Sequence, residues 1–352
     1  MVTVIWYATR EQVKDALDQK ETARANGKID RAIGAATTSV EGLCHRTFYP
    51  EQASRSWDWP SGQSAPSWRL WLDGNELVSL NNVTSGGRDI NLDDVLLRRS
   101  DGRDEPPFTF LELSLASSAS FGGGPTTQRD ITVTGTFGYR NDETLLGTHT
   151  GITSGATTLT VDAATSAEVG VGSLLRLDDE RATVTARSMA STGQTLTAAV
   201  DAQMKTTTLA VGDGGAFAEG ELILLDGERC RVDEIAGNIL VVRRAADGSP
   251  IAAHDAATPI YAPRSLRLSR GVLGTTAAAH TAGGTVVRWD PPALVNELCI
   301  AQAITNLLQG AAGYARTVGS GEGTREAAGR GLSAIREDAY TAHGRKARAR
   351  AV

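Results

Sequence analysis

Aromatic side chains make up only 5% of this 352-residue chain, and it has no long apolar run. Its longest apolar stretches fall far short of the roughly 18 to 20 residues that cross a bilayer, so no membrane span is expected. The start, MVTVIWYATREQ, lacks a basic n-region followed by an apolar core, and export by the secretory route is not expected either. Cysteine is nearly missing. Cys44, Cys230 and Cys299 are odd in number, far apart and set in apolar or strand-like surroundings, which implies buried thiols and no disulfide framework. The sequence contains no HExxH, CxxC, GxSxG or GxxxxGK[ST], and Gly27-Lys28-Ile29 lacks the glycine loop and hydroxyl of a phosphate site. No cofactor, metal site or enzymatic activity is therefore expected. A formal net charge of -6 argues against nucleic-acid binding over the whole surface.

What is present is a 41% hydrophobic composition, enough for a real core, and 38 glycines that call for many tight turns. Length alone suggests two or three domains. The stretch Asn26 to Arg46 organises the chain. Ile29, Ile33, Ala36, Val40 and Leu43 fall at alternating steps of four and three, which draws one apolar stripe along a helix. Lys28, Asp30, Arg31, Thr38 and Glu41 occupy its other face, and Asn26 can cap its start. Ahead of it, Thr9-Arg10-Glu11-Gln12 has the form of a capping box, predicting a first helix over 10–19.

From Phe48 the pattern changes to strands. SRSWDWP, WRLWL, ELVSLNNV, FTFLELSL and RDITVTGTFGY concentrate β-branched and aromatic residues between turn formers. Asp73-Gly74, between the second and third, predicts a type I′ hairpin. Trp57, Trp59, Trp68 and Trp71 have only Arg55 and Arg69 among them. They read as indoles of a thin core rather than a base-stacking platform.

Between 147 and 290 the sequence repeats itself. TTLTV (157–161) returns as TTLAV (207–211), and LLRLDDERATV (174–184) as LILLDGERCRV (222–232), the latter a hairpin turning at Asp226-Gly227. LVVRRAADGSPIAAHDAATPI (240–260) aligns without gaps on LRLSRGVLGTTAAAHTAGGTV (266–286), so Arg244 and His254 recur as Arg270 and His280. Histidines at equivalent positions of a duplicated unit imply a shared structural task, such as bonding a loop carbonyl. Asn91-Leu92-Asp93-Asp94 and Asp178-Asp179-Glu180 lack the ligand spacing of a calcium loop and read as exposed turns. Gly122-Gly123-Gly124, followed by proline, is a turn.

Pro291-Pro292 then opens a helix with Leu294, Leu298, Ala301, Thr305 and Leu308 on one face. It is the expected partner of the Ile29–Leu43 stripe. After GSGEG (319–323), Ala328, Leu332, Ile335 and Ala339 define a last amphipathic helix, and HGRKARARAV is strongly basic. Arg345, Lys346, Arg348 and Arg350 there suit phosphates or an acidic groove on a protein partner. The expected class is α+β: a small bundle from the N- and C-terminal helices with a β-element, and a large inserted all-β region of repeated modules. The expected divisions are 1–146, 147–290, 291–318 and 319–352.

YATREQVKDALDQKETARANGKIDRAIGAATTSVEGLCHRTFYP, followed by RLWLDGNELVSLNNVTSGG and ending in PPALVNELCIAQAITNLLQ, resembles the head-tail connector (adaptor, or head completion) proteins of long-tailed, siphovirus-like bacteriophages. RRAADGSPIAAHDA and SRGVLGTTAAAHTA resemble the β-rich insertion of larger members. The resemblance implies a virion protein of the neck, assembled in the host cytoplasm as a homo-oligomeric, dodecameric ring under the portal protein. It implies a next neck or tail-completion protein as neighbour and genome DNA passing through without sequence-specific binding. It also implies a C-terminal segment that grips the portal. On this sequence that segment is 324–352, with Leu332, Ile335 and Tyr340 as apolar anchors and Arg345, Lys346, Arg348 and Arg350 as electrostatic ones. Lys28, Arg31 and Glu41 become ring-contact candidates. The alternative is a tail or capsid decoration protein whose β-modules bind carbohydrate or capsid surface.

Overall fold

A computed structural model describes residues 4–17, 26–59, 66–311, 317–318, 325–326 and 330–345. The fold is α+β, with large antiparallel sheets and five α-helices among the described residues. Packing divides the chain into two compact units. One comprises Met1–Val40, Glu143–Val272 and Thr276–Glu337, and the other Glu41–Asp142, Leu273–Thr275 and Asp338–Val352.

The helices are α1 (Arg10–Leu17), α2 (Asn26–Cys44), α3 (Ala163–Glu168), α4 (Ala293–Ala311) and α5 (Arg330–His343). The capping box forms as expected. The Thr9 amide donates to Gln12 Oε1 at 2.8 Å and the Gln12 amide to Thr9 Oγ1 at 3.2 Å. Residues 18 and 19 of the expected first helix lie outside the described residues. On α2 the stripe is buried at Ile29, Ile33, Ala36 and Val40, while Leu43 is half-buried and Cys44 takes its place in the core. On α4 the buried residues are Val295, Leu298, Cys299 and Ala303. The face is thus rotated from the Leu294–Leu308 line expected. Small Cys299 and Ala303 permit close approach, and Thr37 Oγ1 of α2 lies 3.7 Å from Cys299 Sγ.

The second unit holds β1 (Glu51–Trp57), β2 (Arg69–Trp71), β3 (Leu77–Ser85), β4 (Arg88–Asp89), β5 (Val95–Arg98), β6 (Phe110–Leu113) and β7 (Ile131–Phe137). They form a four-stranded sheet in the order β1-β7-β3-β4 and a three-stranded sheet in the order β2-β6-β5. This overturns the hairpin expected at Asp73-Gly74. Asp73 does adopt a positive φ of 51° and the Asn75 amide donates to Leu72 O, but β2 and β3 part into different sheets. Leu70, Leu72 and Leu77 are all fully buried, so apolar burial on both sides of the turn outweighs local turn preference. Trp57, Trp59 and Trp68 pack in this unit's core, and Trp71 lies 4.3 Å from Phe110 between ring centroids.

Gly135, on the interior strand β7, lets that strand lie close against β3. A Cβ there would sit 2.2 Å from Ser79 O and 3.2 Å from Leu77 Cδ1. G135A is expected to lower stability by about 1–3 kcal/mol through overpacking. G42A, where a Cβ meets nothing within 4 Å, should be neutral or stabilising. Equal melting temperatures for the two variants would contradict this account of β7.

The first unit is built on a ten-stranded sheet. Its strands are β8 (Glu143–Thr148), β9 (Thr158–Thr160), β10 (Leu174–Leu177), β11 (Glu180–Thr195), β12 (Thr208–Ala210), β13 (Leu222–Leu225), β14 (Glu228–Ala236), β15 (Ile239–Arg243), β16 (Pro259–Arg270) and β17 (Thr285–Trp289). β18 (Thr317–Val318) and β19 (Arg325–Glu326) pair separately. Within the large sheet β12 pairs β15, β15 pairs β14 and β14 pairs β13. In the same sequence β9 pairs β16, β16 pairs β11 and β11 pairs β10. Leu209 lies opposite Leu240 as Leu159 lies opposite Leu266, and Leu225 opposite Glu228 as Leu177 opposite Glu180. Two buried clusters fill these halves, one around Leu209, Ile223, Val232 and Leu240, the other around Leu159, Leu175, Val184 and Leu266.

Candidate functional site

Two networks of buried charge lie at the hairpin turns of the repeated segments. At the β13–β14 turn, Asp226 takes a positive φ of 50° and Glu228, two residues on, falls on the same side of the chain. Arg244, just past β15, and His254, in the following loop, close on it. Glu228 accepts from Arg244 Nε at 2.9 Å and Nη2 at 2.6 Å, and from the amides of Ala245 at 3.1 Å and Ala252 at 2.9 Å. His254 places Nε2 3.0 Å from Glu228 and Nδ1 2.9 Å from Asp226. Both the Arg244 and Glu228 side chains are 0% exposed.

The same set of contacts recurs at the β10–β11 turn. Glu180 accepts from Arg270 Nε at 2.9 Å and from Arg270 Nη2, and from the amides of Gly271 at 3.1 Å and Ala278 at 2.9 Å. His280 places Nε2 2.9 Å from Glu180 and Nδ1 2.7 Å from Asp178, which has a φ of 49°. Burial alone would raise both carboxyls. The arginine, the Ala252 or Ala278 amide and the histidine outweigh it and hold Glu228 and Glu180 at about 2.

Chemically, these are staples. Each carboxylate has its acceptor positions filled by donors from its own loop, so it fixes that loop on its hairpin. Two expectations are corrected here. The histidines bond carboxylates, not loop carbonyls, because the repeated hairpin supplies an acid at each ring nitrogen. Asp178-Asp179-Glu180 is not wholly a solvated turn, since Glu180 is buried.

The first unit also carries a cleft of about 490 Å3 lined by Arg10, Arg187, Arg229, Arg231 and Arg288, among others. Each arginine faces a carboxylate: Asp30 at 2.6 Å, Glu11 at 4.0 Å, Asp247 at 3.2 Å, Asp15 at 3.4 Å and Asp290 at 2.7 Å respectively. Its charges are therefore compensated within the chain. Among the described residues no group of three or more His, Cys, Asp or Glu is placed to hold a metal, and no helix is long and apolar enough to cross a membrane. Cys44, Cys230 and Cys299 are free and buried.

Of the expected docking residues, Leu332 and Ile335 are half-buried on α5 and Tyr340 is 39% exposed. Arg345 is engaged within its own unit. Its amide donates to Cys44 O at 2.9 Å, its Nη2 donates to Gly74 O at 2.9 Å and lies 3.5 Å from the buried Glu76. Lys346, Arg348 and Arg350 lie outside the described residues. Lys28 and Arg31 are exposed on α2 and Glu41 is half-buried. Sequence reasoning missed Glu76, whose only signal was an acid at the head of an apolar strand. No family model matches this chain, and no curated protein or solved structure matches it.

Proposed function

We propose that the chain is a structural, non-enzymatic virion protein, a head-tail connector that assembles as a ring beneath the portal of a long-tailed phage and lines the DNA passage. The observation that carries this reading is the meeting of the two ends of the chain. Asn296 of α4 donates to Tyr7 O at 2.6 Å, and α2 touches α4 through Thr37 and Cys299. The end segments are also the ones that resemble connector proteins. On this reading α1, α2 and α4 form a small bundle. The sheet region hung from it holds two copies of one stapled module, the second (about 196–260) nested between the two parts of the first.

Ring closure needs two different faces per subunit, and Lys28, Arg31 and Glu41 on the outer side of α2 are the residues for one of them. Leu332, Ile335 and Tyr340, with the basic residues that follow Arg345, form the portal-facing end. Mass photometry of the purified chain should give one discrete multimer, and K28E/R31E should shift it to single chains. A wild-type chain that stays monomeric as its concentration rises would overturn the ring.

A further inference from the structure

Two buried arginine–glutamate arrangements among the described residues contrast with each other. In the staples each carboxylate is held by two guanidinium nitrogens and at least two amides. Glu76 is built differently. Its side chain is 5% exposed, yet its nearest cations are Arg46 at 3.3 Å and Arg345 at 3.5 Å. Arg46 Nε, Glu76 Oε2 and Arg345 Nε make no hydrogen bond among the described residues. Glu76 thus has fewer direct donors than either stapled carboxylate, and its contact with Arg345 is the easier to exchange. A cavity of about 20 Å3 bordered by Glu76, Arg345, Gly74 and Arg55 leaves room for about one water beside the pair.

Arg345 is the last described residue of the C-terminal segment. The Gly344 amide closes α5 on Tyr340 O at 2.7 Å, and His343 Nδ1 lies 3.1 Å from Tyr139 Oη with its ring edge on Phe48. The basic sequence KARARAV follows directly. We propose that Arg345 and Glu76 form a releasable latch that holds the root of the basic arm on the second unit until an acidic protein surface competes for Arg345. The latch is a property of the single chain and does not depend on ring formation. Its partner is defined by chemistry: a cluster of carboxylates on a protein surface able to replace Glu76 at Arg345.

Residue-resolved amide exchange of the full chain tests this. In E76Q the amides of Gly344 and Arg345 should exchange at least tenfold faster than in wild type, with amides of β7 unchanged. R345Q, altered on the 27%-exposed arm side of the contact, should do the same and covers the case in which E76Q disturbs the core. Poly-L-glutamate added to wild type should accelerate exchange at the same two amides. Unchanged rates at Gly344 and Arg345 in R345Q would overturn the latch. Unchanged rates with poly-L-glutamate would overturn its release by acidic surfaces.

Discussion

Replacing Arg244 by methionine is expected to destabilise the first unit by about 3–5 kcal/mol, the cost of leaving one partner of a buried ion pair uncompensated. Glu228 would keep its place beneath the 244–254 loop with His254, the Ala245 and Ala252 amides and the Cys230 thiol left to hold its charge. For a unit of this size such a loss lowers the melting temperature by roughly 10 °C. R270M should cost a similar amount, because Arg270 serves Glu180 through the same contacts. R244M/E228M should recover only part of the loss, since it removes the buried charge but leaves the Ala245 and Ala252 amides and His254 Nε2 without their acceptor. A change below 1 kcal/mol in R244M, measured by denaturant titration, would mean that the network is not the staple its geometry describes.

Acid should open the same two sites together. Glu180 and Glu228 titrate at about 2 in the folded chain, against 4.5 for an ordinary glutamate. A folded-state value below the unfolded one means that the unfolded chain binds the proton first. The stabilisation is therefore complete above pH 4.5 and is lost as the pH falls from there through about 2. Each carboxylate contributes about 3 kcal/mol on this account, or about 6 kcal/mol for the two. Melting followed at pH 7, 4.5, 3 and 2 should show the fall beginning below pH 4.5. E180Q/E228Q should be less stable at pH 7 and show a shallower fall below pH 4.5. Parallel pH profiles for the variant and the wild type would contradict the assignment.

Much of this architecture was legible in the sequence where a local rule governs. The capping box at Thr9, the burial along α2 and the turns at Asp178 and Asp226 follow from short-range stereochemistry. The recurrence of Arg244 and His254 as Arg270 and His280 marked the staples before their partners were known. Those partners were hidden because they lie far off in sequence: Glu180 meets residues from 270 to 280 only after β11 and β16 have paired. The same reason defeated Asp73-Gly74, whose turn chemistry is real but whose flanking strands are claimed by different sheets. On α4 the period was right and the phase wrong. Cys299 and Ala303 face inward through close packing, which a ranking of side chains by hydrophobicity does not reveal. Glu76 showed only as an acid at the head of an apolar strand, as its cations come from Arg46 and from Arg345 near the far end of the chain.

The central claim, a connector that joins a portal ring, is tested most directly by mixing the purified full-length chain with purified portal rings and averaging electron images of the product. The account predicts a second ring stacked coaxially on the portal, with density from the C-terminal segment on the portal surface. It also predicts loss of the complex when 324–352 is deleted. No added ring at concentrations where the chain is assembled would contradict the connector. Full binding after the deletion would contradict docking through the C-terminal segment.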